Sequence, residues 1–330
     1  MLSRPDFPSD METGKTPGRL FLSGKRGVVS GLSTAWLLLR IMVPTMAIVQ
    51  VLKVLGALAF LAHLASPVMK VFGLPGEAAL ALLTGGVVNI YAAIAVAVNI
   101  PMTAKSMTVL AIMVLIAHNL IVETAVQSRA GTPAAVMVTV RISAALLAGF
   151  IFARIIPDGG VVMGQTTVSE VSGLRQVLAS NALSLLRIAI IVITLMVLVE
   201  ISREFGLMDR FMSILQWPMR ALGLHRKTAF VAAVGLVLGL AYGAGLIIDE
   251  TKKSSISTRE ILATNVFLGT SHALIEDSLV FAAVGANLLW IVVGRLVFGS
   301  IFLRLVMPLA ERWIGRRNVA GERESGTIVS

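Results

Sequence analysis

Histidine and carboxylate side chains occur twice in this chain, at the same spacing and inside apolar sequence. Glu123 follows His118 by five residues, and Asp277 follows His272 by five residues. Each member of the second pair lies 154 positions after its counterpart in the first. Ionisable side chains are costly to keep in hydrocarbon, so a set that is present twice predicts a functional site.

Further polar residues accompany these motifs and complete the set that we expect to bind a solute or ion. That set is His118, Asn119, Glu123, Ser271, His272, Glu276 and Asp277, with Asn89 from a glycine-rich segment. One interpretation is a divalent-cation site, whose ligands would be His118, Glu123, His272, Glu276 and Asp277. A second is a relay for a coupling H⁺ or Na⁺, and a third is direct hydrogen bonding to a polar organic solute. The structural alternative is a polar network that holds helices together.

Helical geometry distinguishes the two copies. On a regular helix His272 and Glu276 are four residues apart and share a face. His118 and Glu123 would point about 140° apart, so they share a site only if the helix is broken or two helices flank it. If one half alone binds a ligand, the sequence favours His272 and Glu276.

Two arginines lie inside apolar segments and are also 154 positions apart. We expect Arg141 to pair with Glu123, and Arg295 to pair with Asp277. An unpaired guanidinium at such a depth would be far more costly than a paired one.

Composition identifies a helical protein that crosses the membrane several times. The 330 residues are 56% hydrophobic and 14% charged, whereas soluble domains carry about 25% charged residues. Several continuous apolar runs are long enough to cross a bilayer as helices, and such runs exclude a barrel. The absence of cysteine excludes disulfides and thiolate metal sites.

The net charge of +10 is carried mostly by tails and loops, where it contacts lipid headgroups, so we expect no nucleic-acid partner. The chain lacks a phosphate-binding loop and the common hydrolase motifs, and we expect no enzymatic activity. The candidate cofactors are a divalent cation or a coupling H⁺ or Na⁺. The candidate partners are the lipid bilayer, a small polar solute or cation, a second copy of the chain, and another membrane protein.

The fold class predicted is all-α, with about eight transmembrane helices in two tandem repeats. The apolar segments are 33–62, 76–99, 106–127, 133–156, 183–203, 228–248, 261–284 and 286–308. The predicted domains are a disordered cytoplasmic tail at 1–30, a first repeat at 31–157, a polar linker at 158–182, a second repeat at 183–309 and a basic tail at 310–330.

The distribution of Lys and Arg places both termini in the cytoplasm, in a bacterial inner membrane. Four crossings in each half make the repeats parallel. We expect 207–223 to be an amphipathic helix at the membrane surface. If that segment re-enters the membrane instead, the repeats would be inverted.

Glycine-rich segments of the two halves carry a resemblance to a known family. Thr84-Gly85-Gly86 with Asn89 and Tyr91, and the run Gly235 to Gly245, permit close helix packing or an unwound helix near a site. With polar residues in the third segment of each half, the chain resembles the Gate, or nucleoside-recognition, domain over about residues 33–308. This domain occurs in spore maturation proteins A and B, in the membrane part of the ferrous iron transporter B, and distantly in concentrative nucleoside transporters.

The resemblance implies a transport-type membrane protein and leaves its substrate open. The leading hypothesis is a permease for a small polar solute or cation, with its path between the two repeats. The alternatives are a membrane partner or scaffold without transport, and a substrate that is a divalent metal rather than a nucleoside. A metal would be released as the histidines protonate at low pH.

Overall fold

The computed structural model describes residues 16–158, 162–163, 174–221, 224, 226–252 and 256–309. Most of the chain in these ranges is helical; short turns and loops join the helices, and there are two two-residue strands. The helices are α1 (Thr16–Val54), α2 (Ala57–Val71), α3 (Ala78–Val87), α4 (Ile90–Ala97), α5 (Ala104–Ala117), α6 (Leu120–Arg129), α7 (Ala134–Ile155), α8 (Leu174–Glu204), α9 (Leu207–Ala221), α10 (Arg226–Leu238), α11 (Leu240–Lys252), α12 (Thr258–Ser271), α13 (Glu276–Ala283) and α14 (Trp290–Leu309). The strands β1 (Met102–Thr103) and β2 (Val162–Met163) pair antiparallel.

Apolar helices confirm that this is an all-α polytopic membrane protein. By length and composition, four spans of the described residues can cross a membrane: part of α1, α7, α12 with α13, and α14. A fifth is α5 with α6, two helices bent by 41° at a short break. The other predicted segments fall on shorter or partly described helices, so the count of eight crossings stays a prediction.

The first helix of each half, α1 and α8, pack against each other along a stripe of small residues. Ser23, Gly27, Gly31 and Ala35 recur every fourth residue of α1, and all four are buried. A methyl group added at Gly27 would lie 2.6 Å from the Cα of Val197, so only glycine allows this approach. Small residues at this spacing let two helix backbones come close.

This packing corrects the predicted disordered tail. Residues 1–15 lie outside the described residues, but α1 is already helical at Thr16. Lys25 and Arg26 are exposed, and Arg26 forms ion pairs with Glu200 and Glu204 of α8. The polar residues of this segment suggested disorder, whereas its stripe of small residues favours helix packing.

The linker between the halves is shorter than predicted. Helix α8 begins at Leu174, whereas the linker was expected to continue to residue 182. Most of 158–173 and all of the predicted tail at 310–330 lie outside the described residues.

Within the segment 207–223, residues Leu207–Ala221 form a separate helix, α9, and residues 222–223 lie outside the described residues. Leu215 and Met219 are buried against the core, while Ile214 is exposed. Helix α9 is therefore amphipathic, as predicted. Its position at the membrane surface stays a prediction.

Broken helices recur in both halves at matching places. The chain leaves helical geometry between α3 and α4 at Asn89, and between α10 and α11 at Gly239. It does so again between α5 and α6 at His118 and Asn119, and between α12 and α13 at 272–275. Helices α7 and α14 follow these pairs; α7 packs against α5, α6 and α12, and the start of α14 packs against α5. Two broken helix pairs from each half thus surround one region of the core.

A polar contact also connects the halves. The side-chain amide of Gln127 donates to the backbone carbonyl of Asn265 at 2.8 Å. The Asn265 amide in turn donates to Thr132 Oγ1 at 2.8 Å. Because all three side chains are buried, these bonds fix α12 of the second half against the end of α6 in the first.

Candidate functional site

The break between α5 and α6 is fixed by one residue in the left-handed conformation. His118 follows the last turn of α5, and Asn119 has φ 48°. Asparagine tolerates this region better than most residues. The Asn119 amide donates to the carbonyl of Gly85 at 2.9 Å, and α6 then starts at Leu120. The chain therefore changes direction at His118, and the C-terminal end of α5 lies inside the protein.

The second half repeats this geometry with a different residue at the turn. His272 follows the last turn of α12, and Ala273 has φ 47°. The Ala273 amide donates to the carbonyl of Gly235 at 3.3 Å. Asn119 and Ala273 are the two non-glycine residues with positive φ among the described residues.

A buried arginine stabilises the carbonyl end of each broken helix. Arg141 Nη2 donates to the His118 carbonyl at 2.7 Å, and its Nε donates to the Ile116 carbonyl at 2.9 Å. Arg295 Nη2 donates to the His272 carbonyl at 3.0 Å. Cations stabilise helix C-termini because the last carbonyls lack partners and carry partial negative charge.

The two histidine rings face each other across the boundary between the halves, with centroids 5.0 Å apart. Nδ1 of His118 lies 3.2 Å from the Leu115 carbonyl, and Nδ1 of His272 lies 2.7 Å from the Leu268 carbonyl. A carbonyl only accepts hydrogen bonds, so each Nδ1 carries the proton. Both Nε2 atoms therefore point toward the shared space.

Carboxylates from both halves approach these Nε2 atoms. Glu123 lies between the rings, with Oε1 3.2 Å from His118 Nε2 and Oε2 3.2 Å from His272 Nε2. Oε2 is also 2.7 Å from Arg141 Nη2. Asp277 Oδ2 lies 3.7 Å from His118 Nε2. The two motifs thus form one site, which sequence alone left undecided.

These contacts define what the site can bind. With Nδ1 protonated, a neutral imidazole offers only a lone pair at Nε2, and a carboxylate oxygen also offers only lone pairs. Acceptors held about 3 Å apart in a buried place need a proton or a metal ion between them. The proton can be carried by Nε2 or by a carboxyl oxygen.

A cavity of about 310 Å³ opens beside this cluster. Seven of the eight predicted binding residues line it: Asn89, His118, Asn119, Glu123, His272, Glu276 and Asp277. The Asn89 side chain also caps α4 by accepting from the amides of Tyr91 and Ala92. Lining residues that were not predicted as ligands include Tyr91, Gly239 and Ala273.

The repeat in the sequence could have predicted that Gly239 lines the cavity. Gly85 and Gly235 are 150 positions apart in the two halves, and in the structure their carbonyls accept equivalent backbone hydrogen bonds. The same offset places Asn89 on Gly239, and both stand at a helix break. Gly235 itself packs against Leu268, so this segment combines close packing with unwinding.

Three sequence predictions about the site need correction. Ser271 does not line the cavity, since its hydroxyl contacts Thr270 Oγ1 and the Arg295 carbonyl. His272 and Glu276 do not share one helix face, because α12 ends at Ser271 and α13 begins at Glu276. His272 instead contacts Glu123 of the other half.

The third correction concerns the arginines. Arg141 pairs with Glu123, as predicted. Arg295 forms no ion pair with Asp277 within the described part of the chain; its Nε and Nη1 are buried without a hydrogen-bond partner. The shorter aspartate side chain faces His118 instead.

Comparison with known proteins matches most of the chain. A family profile described as "Gate: Nucleoside recognition" matches residues 35–153 and 185–288. An uncharacterized membrane protein of Bacillus subtilis (strain 168), YvoD, is 31% identical over 303 residues, which cover 89% of this chain and 95% of the relative. No solved structure matches the chain.

Proposed function

Because the chain belongs to the Gate family of membrane proteins, as its resemblance indicated, we propose that it is a permease for a small polar solute or cation. The solute or ion would bind in the cavity between the two halves. The distribution of its basic residues favours both termini in the cytoplasm, and its bacterial relative supports a bacterial plasma membrane. A transport role without catalysis is part of the proposal.

One observation carries this proposal: broken helices from both halves meet at a single cavity lined by ionisable side chains. Unwound backbone inside a membrane is tolerated where it lines a cavity or is buried in protein. Secondary transporters build their substrate sites from such discontinuous helices at the interface between repeats. The breaks at His118 and His272 have this form.

The alternative, a scaffold held together by polar contacts, accounts for part of the structure. The bonds among Gln127, Thr132 and Asn265 are of that kind, since they join the end of α6 and α12 directly. The histidine cluster differs because it borders a cavity of about 310 Å³ and directs nitrogen lone pairs into it. Holding helices together requires no such space.

Flux through purified protein in liposomes tests the proposal. Three probes cover the candidate substrate classes: tritiated uridine, Co²⁺ detected by a trapped fluorescent chelator, and ²²Na⁺. We expect one of them to enter several-fold faster than into protein-free liposomes. The variant His118→Ala/His272→Ala should reduce that rate to background. His63→Ala, at an exposed position of α2, should keep it.

The scaffold interpretation makes the opposite prediction. Folded protein would then move none of the probes, and the double histidine variant would lower thermal stability in detergent without changing any flux. Transport that survives in the double variant would show that the path lies elsewhere.

A further inference from the structure

We infer that the cavity holds a divalent transition-metal ion, bound by His118 Nε2, His272 Nε2 and a carboxylate oxygen of Asp277. This inference deepens the proposed function by naming the chemical class of its ligand. Its first evidence is proximity, since the ligand atoms of these three buried residues all lie within 4.8 Å of one another.

Distances in the cluster fit a metal centre. Ligand bonds of about 2.1 Å in tetrahedral geometry place neighbouring ligand atoms about 3.4 Å apart. The His118 Nε2 to Asp277 Oδ2 distance is 3.7 Å, and Glu123 oxygens lie 3.2 Å from each Nε2. Small side-chain movements around an ion would bring three or four donors into place.

Both histidines are already oriented for metal binding. A histidine that binds a metal commonly donates its other ring N–H to a backbone carbonyl or carboxylate, which fixes the tautomer and the ring plane. His118 does this with Leu115, and His272 does it with Leu268. Nε2 of each histidine faces carboxylate oxygens rather than a backbone group, so it is the ring nitrogen placed to bind an ion.

The neighbouring charges give Glu123 and Asp277 different roles. Glu123 is neutralised by Arg141, which holds it at 2.7 Å. Asp277 forms no ion pair with an arginine in the part of the chain that the structure describes, and it faces His118. A bound cation would neutralise Asp277, and Glu123 would close the other side of the site.

The donor set selects the class of ion. Two imidazole nitrogens with a carboxylate suit Zn²⁺, Co²⁺, Fe²⁺ or Mn²⁺. Ca²⁺ and Mg²⁺ prefer sites made of oxygen atoms, so they should bind poorly. Glu276 and Asn89 border the same cavity and leave space for water or for ion entry.

Binding to the full-length protein in detergent tests this inference directly. Protein stripped with EDTA is titrated with Co²⁺ and followed by visible absorption, which reports ligand type and geometry, and with Zn²⁺ by calorimetry. We expect one ion per chain at this site.

Asp277→Asn and His118→Ala should each weaken binding by about 100-fold or more, whereas His63→Ala and Asp209→Asn, at exposed positions, should not change it. Zn²⁺ should raise the melting temperature of the wild type and leave that of Asp277→Asn unchanged.

The outcomes separate this inference from the proposed function. Failure to bind either ion, or binding that survives both ligand substitutions, would overturn the metal site. Stabilisation of EDTA-treated protein by uridine, without metal binding, would overturn it in favour of an organic solute and leave the permease intact. Specific metal binding in protein that moves none of the probes would keep the metal site and reject transport.

Discussion

The first and second halves of the molecule share a backbone break, a histidine and an arginine, but they use their carboxylates differently. Glu123 reaches Arg141 and also touches both imidazole rings. Asp277, at the equivalent position, lies 3.7 Å from His118 Nε2 across the boundary and forms no ion pair with an arginine among the described residues. One half thus supplies an acid that its own arginine fixes, and the other supplies an acid that is available to a ligand.

Two small differences account for this contrast. Aspartate is one methylene shorter than glutamate, so it reaches less far toward its arginine. The helix after the break also starts later in the second half, at Glu276, whereas equivalence to Leu120 would place the start at 274. Asp277 is therefore the second residue of its helix, whereas Glu123 is the fourth residue of its own. A repeat can keep its motif and still give the copies different roles.

The largest expected effect separates the two arginines. Arg141→Met leaves the Glu123 carboxylate buried without its partner and should lower the free energy of unfolding by about 3–5 kcal/mol. Arg295→Met should cost about 1.5 kcal/mol, because one hydrogen bond is lost while two unpartnered nitrogens are removed. Unfolding in mixed micelles titrated with SDS measures both. Equal losses would mean that the two halves hold their arginines in the same way.

Substitution of the acid should also lower the free energy of unfolding more in the first half than in the second. Glu123→Gln should cost about 2–3 kcal/mol, less than removal of Arg141, since the amide oxygen still accepts a hydrogen bond. Asp277→Asn should change stability by less than about 1 kcal/mol, because no arginine lies within ion-pair distance of its carboxylate among the described residues. The same SDS titration compares them. A greater loss from Asp277→Asn would reverse the roles assigned to the two carboxylates.

The bonds between the halves provide a third comparison. Repeat equivalence places Asn265 on Ala111, Gln127 on Phe281 and Thr132 on Ala286, so this polar contact exists in one copy only. Asn265→Ala, which gives the second half the residue of the first, should cost about 1–3 kcal/mol by leaving buried partners unpaired. Loss of stability is read from thermal unfolding, with the exposed Asp209→Asn as control. An unchanged melting temperature would show that these bonds contribute nothing net.

The smallest effect concerns the residues at the turns. Ala273 holds φ 47°, where alanine is disfavoured, so Ala273→Gly should stabilise the protein by about 0.5–1 kcal/mol. Asn119 holds nearly the same angle, and Asn119→Gly should change stability by only a few tenths of that amount, because asparagine tolerates it. Melting temperatures of the two variants test the difference. Destabilisation by Ala273→Gly would mean that its methyl group makes a packing contact that outweighs the backbone strain.

Rare ionisable residues that recur at one offset indicated the residues that the structure brings together around one cavity. The sequence also indicated that His118 and Glu123 could meet only at a broken helix, and the break at Asn119 brings them to 3.2 Å. The prediction that His272 and Glu276 share one face assumed an unbroken helix. Residues 272–275 include no glycine or proline, the residues that usually mark a break.

Other features depended on contacts that a single chain segment does not display. The pairing of Asp277 depends on its reach and on where α13 starts, which apolar periodicity does not define. The helical structure of 16–30 depends on packing against α8, although the stripe of small residues can be recognised in the sequence. Whether two distant motifs form one site or two follows only from the packing of the halves.

The close contact between Gly27 and Val197 has a consequence for biosynthesis. These residues are 170 positions apart, so the ribosome adds them on the order of 10–30 s apart at typical elongation rates. During that interval α1 has left the ribosome without the helix that covers its glycine stripe. The stripe of α1 therefore stays uncovered until α8 has been synthesised and packs against it.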